Sequence, residues 1–461
     1  MVIGGGKVEA PQSFAVDNPA TGQAIATVSE VGAEGIDAVL EAAKSGFAQW
    51  SGMTPAARKA ILLAYADLLE ANKDRILDLL IEETGKPRDN AEYDFGMLIN
   101  CLRFFVEEAE RLDQPVLHDP DGRFLHYMLR QPLGVVVGML AWNFPLLNLG
   151  YKLGPALAAG CSVIIKPSSL TPLASLEVAY LAREAGLPDG VVNMITSTDH
   201  SLTGNLLTSD VPSLVTMIGS TRSGLEVMRS ACTTVKHFSV ELGGNAPVVV
   251  YPDADIKAAA EKTVDLKFAN CGQVCVSPNR CFVHESVYEE FIGYARERVA
   301  QTTVGPLISD KARAFVLDLV DAAKEDGARV VCGGKARDGE GFFMEPTLLS
   351  DATPSMKVTR EEIFGPVLPV IKYTDADDEI ALANDTEHGL AAYVFTSGLS
   401  NGFRAASGIQ AGSVCVNEPH FSVQLPHGGL KQSGMGKDCS RYSIEEYLTL
   451  KRVSILTSDK R

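Results

Sequence analysis

Positive charge is in short supply. The 461 residues carry 41 Lys and Arg against 58 Asp and Glu, a formal net charge of −17, and no basic run or aromatic-interleaved patch opposes that field. A surface of this sign repels phosphate backbones, so nucleic acid is not expected as a partner. The opening stretch MVIGGGKVEAPQSF lacks the basic region and apolar run of a secretion signal, and no later segment stays apolar and uncharged long enough to cross a bilayer. No membrane partner is expected, and a cytoplasmic location is. Cysteine is sparse and odd in number, nine in all, and Cys101, Cys161, Cys232, Cys332, Cys415 and Cys439 stand singly. That spacing excludes a secreted disulfide framework and fits a reducing compartment. Internal repeats, low-complexity blocks and Gly/Ser linkers are missing too, which leaves neither a solenoid nor a disordered chain.

What is present is enough apolar sequence for more than one core, since single cores stop growing at roughly 250–300 residues. The stretch IDAVLEAAKSGF puts Ile36, Val39, Leu40, Ala43 and Phe47 on one helical stripe. The segment TPAARKAILLAYADLLEANKDRILDLLIEE predicts a long helix with Thr54 as its N-cap and Pro55 in its first turn. From Gly134 short apolar runs alternate with helical segments: GVVVGML, CSVIIKP, GVVNMIT and LVTMIGS. A second alternating set follows HFSVELGG, with PVVVY, RCFVHE, ARVVCGG, AAYVFT and GSVCVN. This pattern predicts an α/β protein with two parallel sheets wound with helices. Between the helical regions, HDPDGRFLHYMLRQP has strand character and reads as an arm that packs on a neighbouring subunit.

The chemistry candidates begin with FANCGQVCVSPNR, residues 268–280. Cys271, Cys275 and Cys281 are poorly spaced for tetrahedral zinc, and only His284 is near, so no metal is expected. A packed sulfur is the bland reading of any cysteine in an apolar run. Cys275 departs from it because it follows Gly272 at a helix end, in a polar loop closed by Pro278, where a side chain can face a cleft. A thiol nucleophile needs a route to thiolate and a base for product release. Glu241 ends an apolar strand just before Gly243 and Gly244 and is a candidate, though a carboxylate there is ordinarily solvated or capping. Asn143 in AWNFP is a candidate oxyanion donor, and simple turn chemistry is its alternative. IGSTRSG, residues 218–224, closes a strand and opens a helix, so its amides can face a pyrophosphate, but it does not match G-x-G-x-x-G.

Taken in order, AWNFP, KPSS, IGST, ELGG, GQVC, EIFGPV and PHGGLKQSGMGKD resemble the aldehyde dehydrogenase superfamily, of its hydrolytic, non-CoA-acylating type. The likeness runs over essentially the whole chain. It implies a Rossmann-like cofactor domain (1–117 and 133–242), an α/β catalytic domain (243–436) and a small β oligomerisation arm with the C-terminal tail (118–132 and 437–461). A homo-oligomer, dimer or tetramer, is implied as well. By this resemblance Cys275 attacks a small aldehyde to give a thiohemiacetal, Asn143 and the Cys275 N–H hold the oxyanion, and Glu241 activates the water that hydrolyses the ensuing thioester. Lys152 matches a lysine near the active site. NAD or NADP is the implied cofactor: Lys166 contacts the adenosine ribose, Gly219 and Ser220 lie under the pyrophosphate, and Glu362 grips the nicotinamide ribose. Phe364 and Trp142 lie beside the cofactor.

Departures from the family pattern carry their own expectations. KPSS replaces the KPSE common among members that prefer NAD, so Ser169 stands where a carboxylate repels a 2′-phosphate, and NADP is tolerated or preferred. The connection VAQTT before VGPLIS is shorter than is usual, and TSTDH replaces a glycine-rich turn. No arginine follows the NFP, where members that grip a distal carboxylate carry one; the neighbourhood holds Asn148 and Tyr151, which disfavours succinate semialdehyde. The loop NEPHFSVQLPHGG brings His420, Phe421 and His427 toward the substrate, and its pattern resembles dehydrogenases of aminoaldehydes. A small polar aldehyde, an aminoaldehyde or a semialdehyde, is therefore the expected substrate. A catalytically idle member of the family used as a binding protein is the competing reading, and a cofactor-free thiol hydrolase is a weaker third.

If Cys275 is the nucleophile and Cys271 a packed bystander, Cys275→Ala abolishes aldehyde-dependent cofactor reduction while Cys271→Ala keeps most of it. The reverse pattern in a steady-state assay would sink the assignment.

Overall fold

The alternation of apolar runs and helical stripes resolves into two sheets in the computed structural model, which describes residues 1–457. Among these residues the first sheet has eight strands, in the order Gly6–Lys7, Val2–Ile3, Val192–Met194, Ser162–Lys166, Val135–Met139, Pro212–Ile218, His237–Glu241 and Gly434–Met435. The strands from Val192–Met194 to His237–Glu241 run parallel. Val135–Met139, the earliest of them in the chain, sits in the middle, with Ser162–Lys166 on one side and Pro212–Ile218 on the other. The winding therefore reverses direction there, which leaves a crevice beyond the carboxyl ends of those strands.

Side chains alternate across the sheet, as the pleat requires. Val136, Val163, Ile165 and Leu214 enter one core, while Val135, Val137, Ile164 and Val215 enter another on the opposite face. Helix Ala33–Ser51 covers the second face with Ile36, Val39, Leu40 and Ala43, the predicted stripe. On the first face Thr54 caps its helix by accepting a bond from Ala57 N at 3.2 Å. The long helix expected after it is two, Pro55–Ala71 and Lys73–Thr84. The break falls at Asn72, whose side-chain amide donates to Leu68 O at 2.9 Å and so competes with the backbone ladder. Near the end of the second helix Glu83 is fully buried and accepts from Leu173 N (2.6 Å) and Ala174 N (3.0 Å). These amides open helix Leu173–Glu184, so one carboxylate caps it from a distant segment. Burial pushes the Glu83 pKa up to about 8, against the pull of those two amides.

The second sheet runs Arg329–Cys332, Thr347–Ala352, Val367–Tyr373, Pro278–His284, Ala246–Val250, Ala391–Phe395 and Ser413–Val416. Its neighbours are parallel except for the first pair. Val248, Val249, Phe282 and Val370 place it inside a separate core. After helix Tyr288–Val299 the short VAQTT connection closes with Ala300 N to Arg296 O (3.1 Å) and Thr302 N to Val299 O (3.0 Å). Among the described residues no helix is long and apolar enough to cross a membrane.

The C-terminal third crosses the boundaries expected from sequence. Gly434–Met435, expected in the catalytic layer, pairs antiparallel with His237–Glu241 of the first sheet. Cys439, Ile444 and Tyr447, expected in the tail, pack into the first core. Only Leu448–Leu456 joins the arm, where it pairs with Phe124–Pro132, which in turn pairs with Val116–Leu117. Residues 458–461 of the expected tail lie outside the described residues. The arm leaves Val116, Leu117, Phe124, Leu125, Leu450, Ile455 and Leu456 exposed.

Replacing Glu83 by Ala strips two buried amides of their acceptor. We expect Glu83→Ala to cost about 1–3 kcal/mol, read as a lower denaturant midpoint of the first unfolding transition, and Glu83→Gln to recover part of it. No change in Glu83→Ala would refute the capping role.

Candidate active site

A crevice of about 960 Å³ opens where the winding of the first sheet reverses. Each strand end contributes to it: Trp142 and Asn143 beyond Val135–Met139, Lys166, Ser168 and Ser169 at and beyond the end of Ser162–Lys166, Gly219 and Ser220 beyond Pro212–Ile218, and Glu241 at the end of His237–Glu241. Cys275, Glu362 and Phe364 close it from the side of the second sheet. Ser220 caps helix Thr221–Ala231 by accepting from Ser223 N at 3.2 Å, which leaves other first-turn amides free for an anion. Trp142 and Phe364 meet edge to face, their ring centroids 5.3 Å apart. Burial lowers the pKa of Lys166, and no carboxylate pairs with it within ion-pair distance among the described residues. The volume, the helix terminus and this lysine together fit a dinucleotide.

Cys275 stands at the inner end of the crevice. Its carbonyl packs against Gly244 so closely that a Cβ there would meet the oxygen at 2.1 Å, which requires the glycine that follows Glu241 by three residues. Glu241 is 4% exposed. Burial raises its pKa, but His427, the Cys275 thiol and Lys152 more than offset that and hold it below the usual carboxylate range. His427 Nε2 lies 3.2 Å from Glu241 Oε1. Burial lowers the His427 pKa, the carboxylate raises it further, and the net position is about 9. Burial and the same carboxylate push the Cys275 thiol well up. The resting charges are thus a neutral thiol, a carboxylate and an imidazolium.

Asn143 is fixed from several sides. Its Nδ2 donates to Gln273 O at 3.0 Å, and its carbonyl accepts from Lys86 Nζ (2.9 Å) and Asn270 Nδ2 (3.0 Å). Lys86 is buried against Asp94 at 2.8 Å, and Asp94 Oδ1 accepts from Leu147 N at 2.6 Å in the first turn of helix Pro145–Ala159. Asn148, expected to touch substrate, is 3% exposed and instead donates to Ala141 O (3.2 Å) and Asn143 Oδ1 (3.3 Å). Side chains in a first helical turn tilt toward the helix N-terminus, which aims Asn148 back at Asn143.

Lys152 is buried and bound by Asp438 at 2.6 and 2.8 Å. Asp438 also exchanges backbone hydrogen bonds with His427, 2.7 and 2.6 Å long, so this pair holds the histidine in place. Tyr151, likewise expected at substrate, is buried with its ring 5.9 Å from that of His427. Phe421 is half-buried against the second core. His420 remains exposed, and only its carbonyl is engaged, by Cys415 Sγ at 3.9 Å. Cys271 and Cys281 are sealed in the second core, and burial pushes both thiols far up. Glu362 Oε1 accepts from Gly244 N at 2.9 Å, and burial pushes its pKa up to about 7. Lys267, beneath it, is fully buried with no hydrogen-bond partner for Nζ, and burial lowers its pKa to about 7.

Sequence reasoning passed over Lys86, Asp94, Asn270 and Gln273, and it quoted Asp438 only as a motif letter. Gln273 stands inside GQVC and Asp438 closes GMGKD, so both had a signal. Lys86 and Asp94 had none, because their role exists only through contacts with Asn143 and Leu147.

With the geometry in hand, comparison with known proteins is direct. The profile described as "Aldehyde dehydrogenase family" matches residues 7–453. The chain is 39% identical over 457 residues to the mitochondrial succinate-semialdehyde dehydrogenase of Arabidopsis thaliana, covering 96% of this chain and 86% of that protein. It is 38% identical over 453 residues to the glutarate-semialdehyde dehydrogenase of Pseudomonas aeruginosa, covering 95% and 93%. Among solved structures, an Escherichia coli NADP-dependent enzyme superposes with a TM-score of 0.96 at 37% identity, covering 99% of this chain and 98% of that one. The chain belongs to the aldehyde dehydrogenase family. It is accordingly an oxidoreductase that converts an aldehyde to its acid with a nicotinamide cofactor.

Removing one partner of a buried ion pair strands the other charge. Asp438→Ala is expected to cost about 3–5 kcal/mol by chemical denaturation, and Lys152→Met combined with Asp438→Leu to return most of it. A single variant as stable as the parent would contradict the pairing.

Proposed function

We propose that the enzyme oxidises a short semialdehyde, with NADP accepted at least as well as NAD, through a covalent intermediate on Cys275. The observation that carries this reading is the meeting of a thiol, a buried carboxylate and a fixed carboxamide at the inner end of a dinucleotide-sized crevice. Glu241, whose carboxylate lies within 4.8 Å of the Cys275 sulfur, takes its proton as sulfur attacks the aldehyde carbon. The second N–H of Asn143 Nδ2, the one not given to Gln273 O, and the backbone N–H of Cys275 hold the oxyanion of the thiohemiacetal. A nicotinamide held by Trp142, Glu362 and Phe364 would supply the hydride acceptor for that carbon, and Cys275 would then carry a thioester. Glu241, once its first proton has left to solvent, deprotonates the water that releases the acid and restores the thiol. His427 keeps Glu241 ionised for both steps.

Lys166, Ser169, Gly219 and Ser220 would hold the adenosine and pyrophosphate end of the cofactor, and Trp142, Glu362 and Phe364 the nicotinamide end. Ser169 offers no charge against a 2′-phosphate and Lys166 attracts one, which supports NADP. For the substrate, the relatives' names favour a semialdehyde over an aminoaldehyde. A recess of about 780 Å³ is lined by residues 422–424, by Glu107 and Glu108, by Arg103 and Arg111, which are already paired with carboxylates, and by Arg441, which alone of the three arginines supports a distal carboxylate. Arg441 has no carboxylate within ion-pair distance among the described residues. The exposed apolar arm supports a dimer or tetramer built by strand pairing. Nine free cysteines support a reducing, cytoplasmic setting. The sheets and crevice support residues 1–117 and 133–242 as the cofactor domain and most of 243–436 as the catalytic one. An idle family member has no need of all three catalytic groups in one site.

The test is cofactor reduction followed by absorbance, with succinate and glutarate semialdehydes and 4-aminobutyraldehyde crossed with NAD and NADP. Turnover should require both partners and favour the semialdehydes, and Ser169→Glu should shift the ratio toward NAD by on the order of tenfold. Glu241→Gln should slow steady turnover by about 10²–10⁴-fold and accumulate acyl-enzyme. Silence across the panel from folded, reduced protein would sink the enzymatic reading, and preference for the amine would sink the substrate class.

A further inference from the structure

We propose that Cys275, Glu241 and His427 form a three-ligand site for a zinc-class divalent cation, and that filling it arrests the enzyme reversibly. The site is formed by the cysteine sulfur, a carboxylate oxygen and an imidazole nitrogen, all within 4.8 Å of one another. Ligands about 2.0–2.3 Å from a tetrahedral ion stand roughly 3.3–3.8 Å apart, so side-chain rotations of an ångström or so suffice. Three protein donors of mixed sulfur, nitrogen and oxygen type leave a fourth position to water, the arrangement of open zinc sites. The carboxylate oxygen in this set is the buried Glu241 Oε1, which His427 Nε2 faces at 3.2 Å.

The filled site is also neutral in charge: a thiolate, a carboxylate, a neutral imidazole and a dication sum to zero, with the protons they displace released to solvent. No net charge is buried, so the desolvation penalty that opposes a lone buried ion does not arise. The ion enters by the crevice, onto which both Cys275 and Glu241 open. Cys271 and Cys281 take no part, being sealed in the second core. This ion is an inhibitor and not a cofactor, because it occupies the sulfur that must attack and the carboxylate that must take a proton. The arrest therefore rests on the proposed function, whereas the binding does not.

Chelator-treated enzyme, kept reduced with a phosphine so that no added thiol competes, is titrated with cobalt(II) as a spectroscopic stand-in and then with zinc alone. We expect a thiolate-to-cobalt charge-transfer band and strong four-coordinate visible bands saturating at one ion per chain, bleached by zinc. Cys275→Ser should remove the charge-transfer band. His427→Phe and, as a second variant, His427→Gln should weaken binding by at least about tenfold, with near-ultraviolet circular dichroism confirming the fold of each. Zinc should inhibit turnover, a chelator should restore it, and bound cofactor with aldehyde should protect. An unchanged cobalt spectrum or zinc midpoint in both histidine variants would overturn the site, since the thiol alone would then be the ligand. The spectrum needs no turnover, so a protein that binds cobalt in this way but reduces no cofactor would overturn the proposed function and leave the site standing.

Discussion

Taking the Glu241 carboxylate out of water is the constraint around which the rest of the site is arranged. A buried ion costs several kcal/mol unless partners replace its solvation, and Glu241 is 4% exposed at the end of its strand. Compensation comes from three side chains, His427 at 3.2 Å, the Cys275 thiol, and Lys152 at longer range. None of the three is free to wander. His427 is tied through its backbone to Asp438, Asp438 is tied through its carboxylate to Lys152, and Cys275 is held by its carbonyl against Gly244. The carboxylate is held ionised by fixed surroundings, and they are fixed because each charge in them has a partner.

The same logic governs the carboxamide on the other side of the sulfur. Asn143 lies in a turn that packing alone would leave adjustable, yet its carbonyl, its oxygen and its nitrogen are each claimed by a different segment. The Lys86–Asp94 pair gives that turn its anchor and at the same time caps the helix behind it. Second-layer groups of this kind set the angle at which a donor meets developing charge, a quantity that catalysis depends on more than on the donor's mere presence.

The sheets were legible because strands buried on both faces read as unbroken apolar runs, and the outer helices because they carry stripes and a capped start at Thr54. The break at Asn72 was not, since its competing bond to Leu68 costs the sequence no pattern. The order of their motifs and the types of their side chains pointed to Cys275, Glu241 and Asn143, which the structure brings to one crevice. Asn148 was expected at the substrate from its place after NFP, but proximity in sequence does not say which way a first-turn side chain tilts, and its amide turns to Asn143. Lys86 and Asp438 escaped for a more general reason. A residue that acts through a partner far along the chain leaves no local periodicity, and a pairing across 57 or 286 residues is invisible to any window shorter than itself.

That last separation has a bearing on how the protein is made. At about 5–20 residues per second on the ribosome, Lys152 waits roughly 15–60 s for Asp438 to be synthesised. By the later part of that interval Cys275 and the parallel strands of the first sheet have been made, but His427, Asp438 and the edge strand Gly434–Met435 have not. Between the completion of the Cys275 loop and the synthesis of His427 and Asp438 the nascent chain therefore carries an unfinished thiol site. A chain that stops within that interval lacks the histidine that pairs with Glu241.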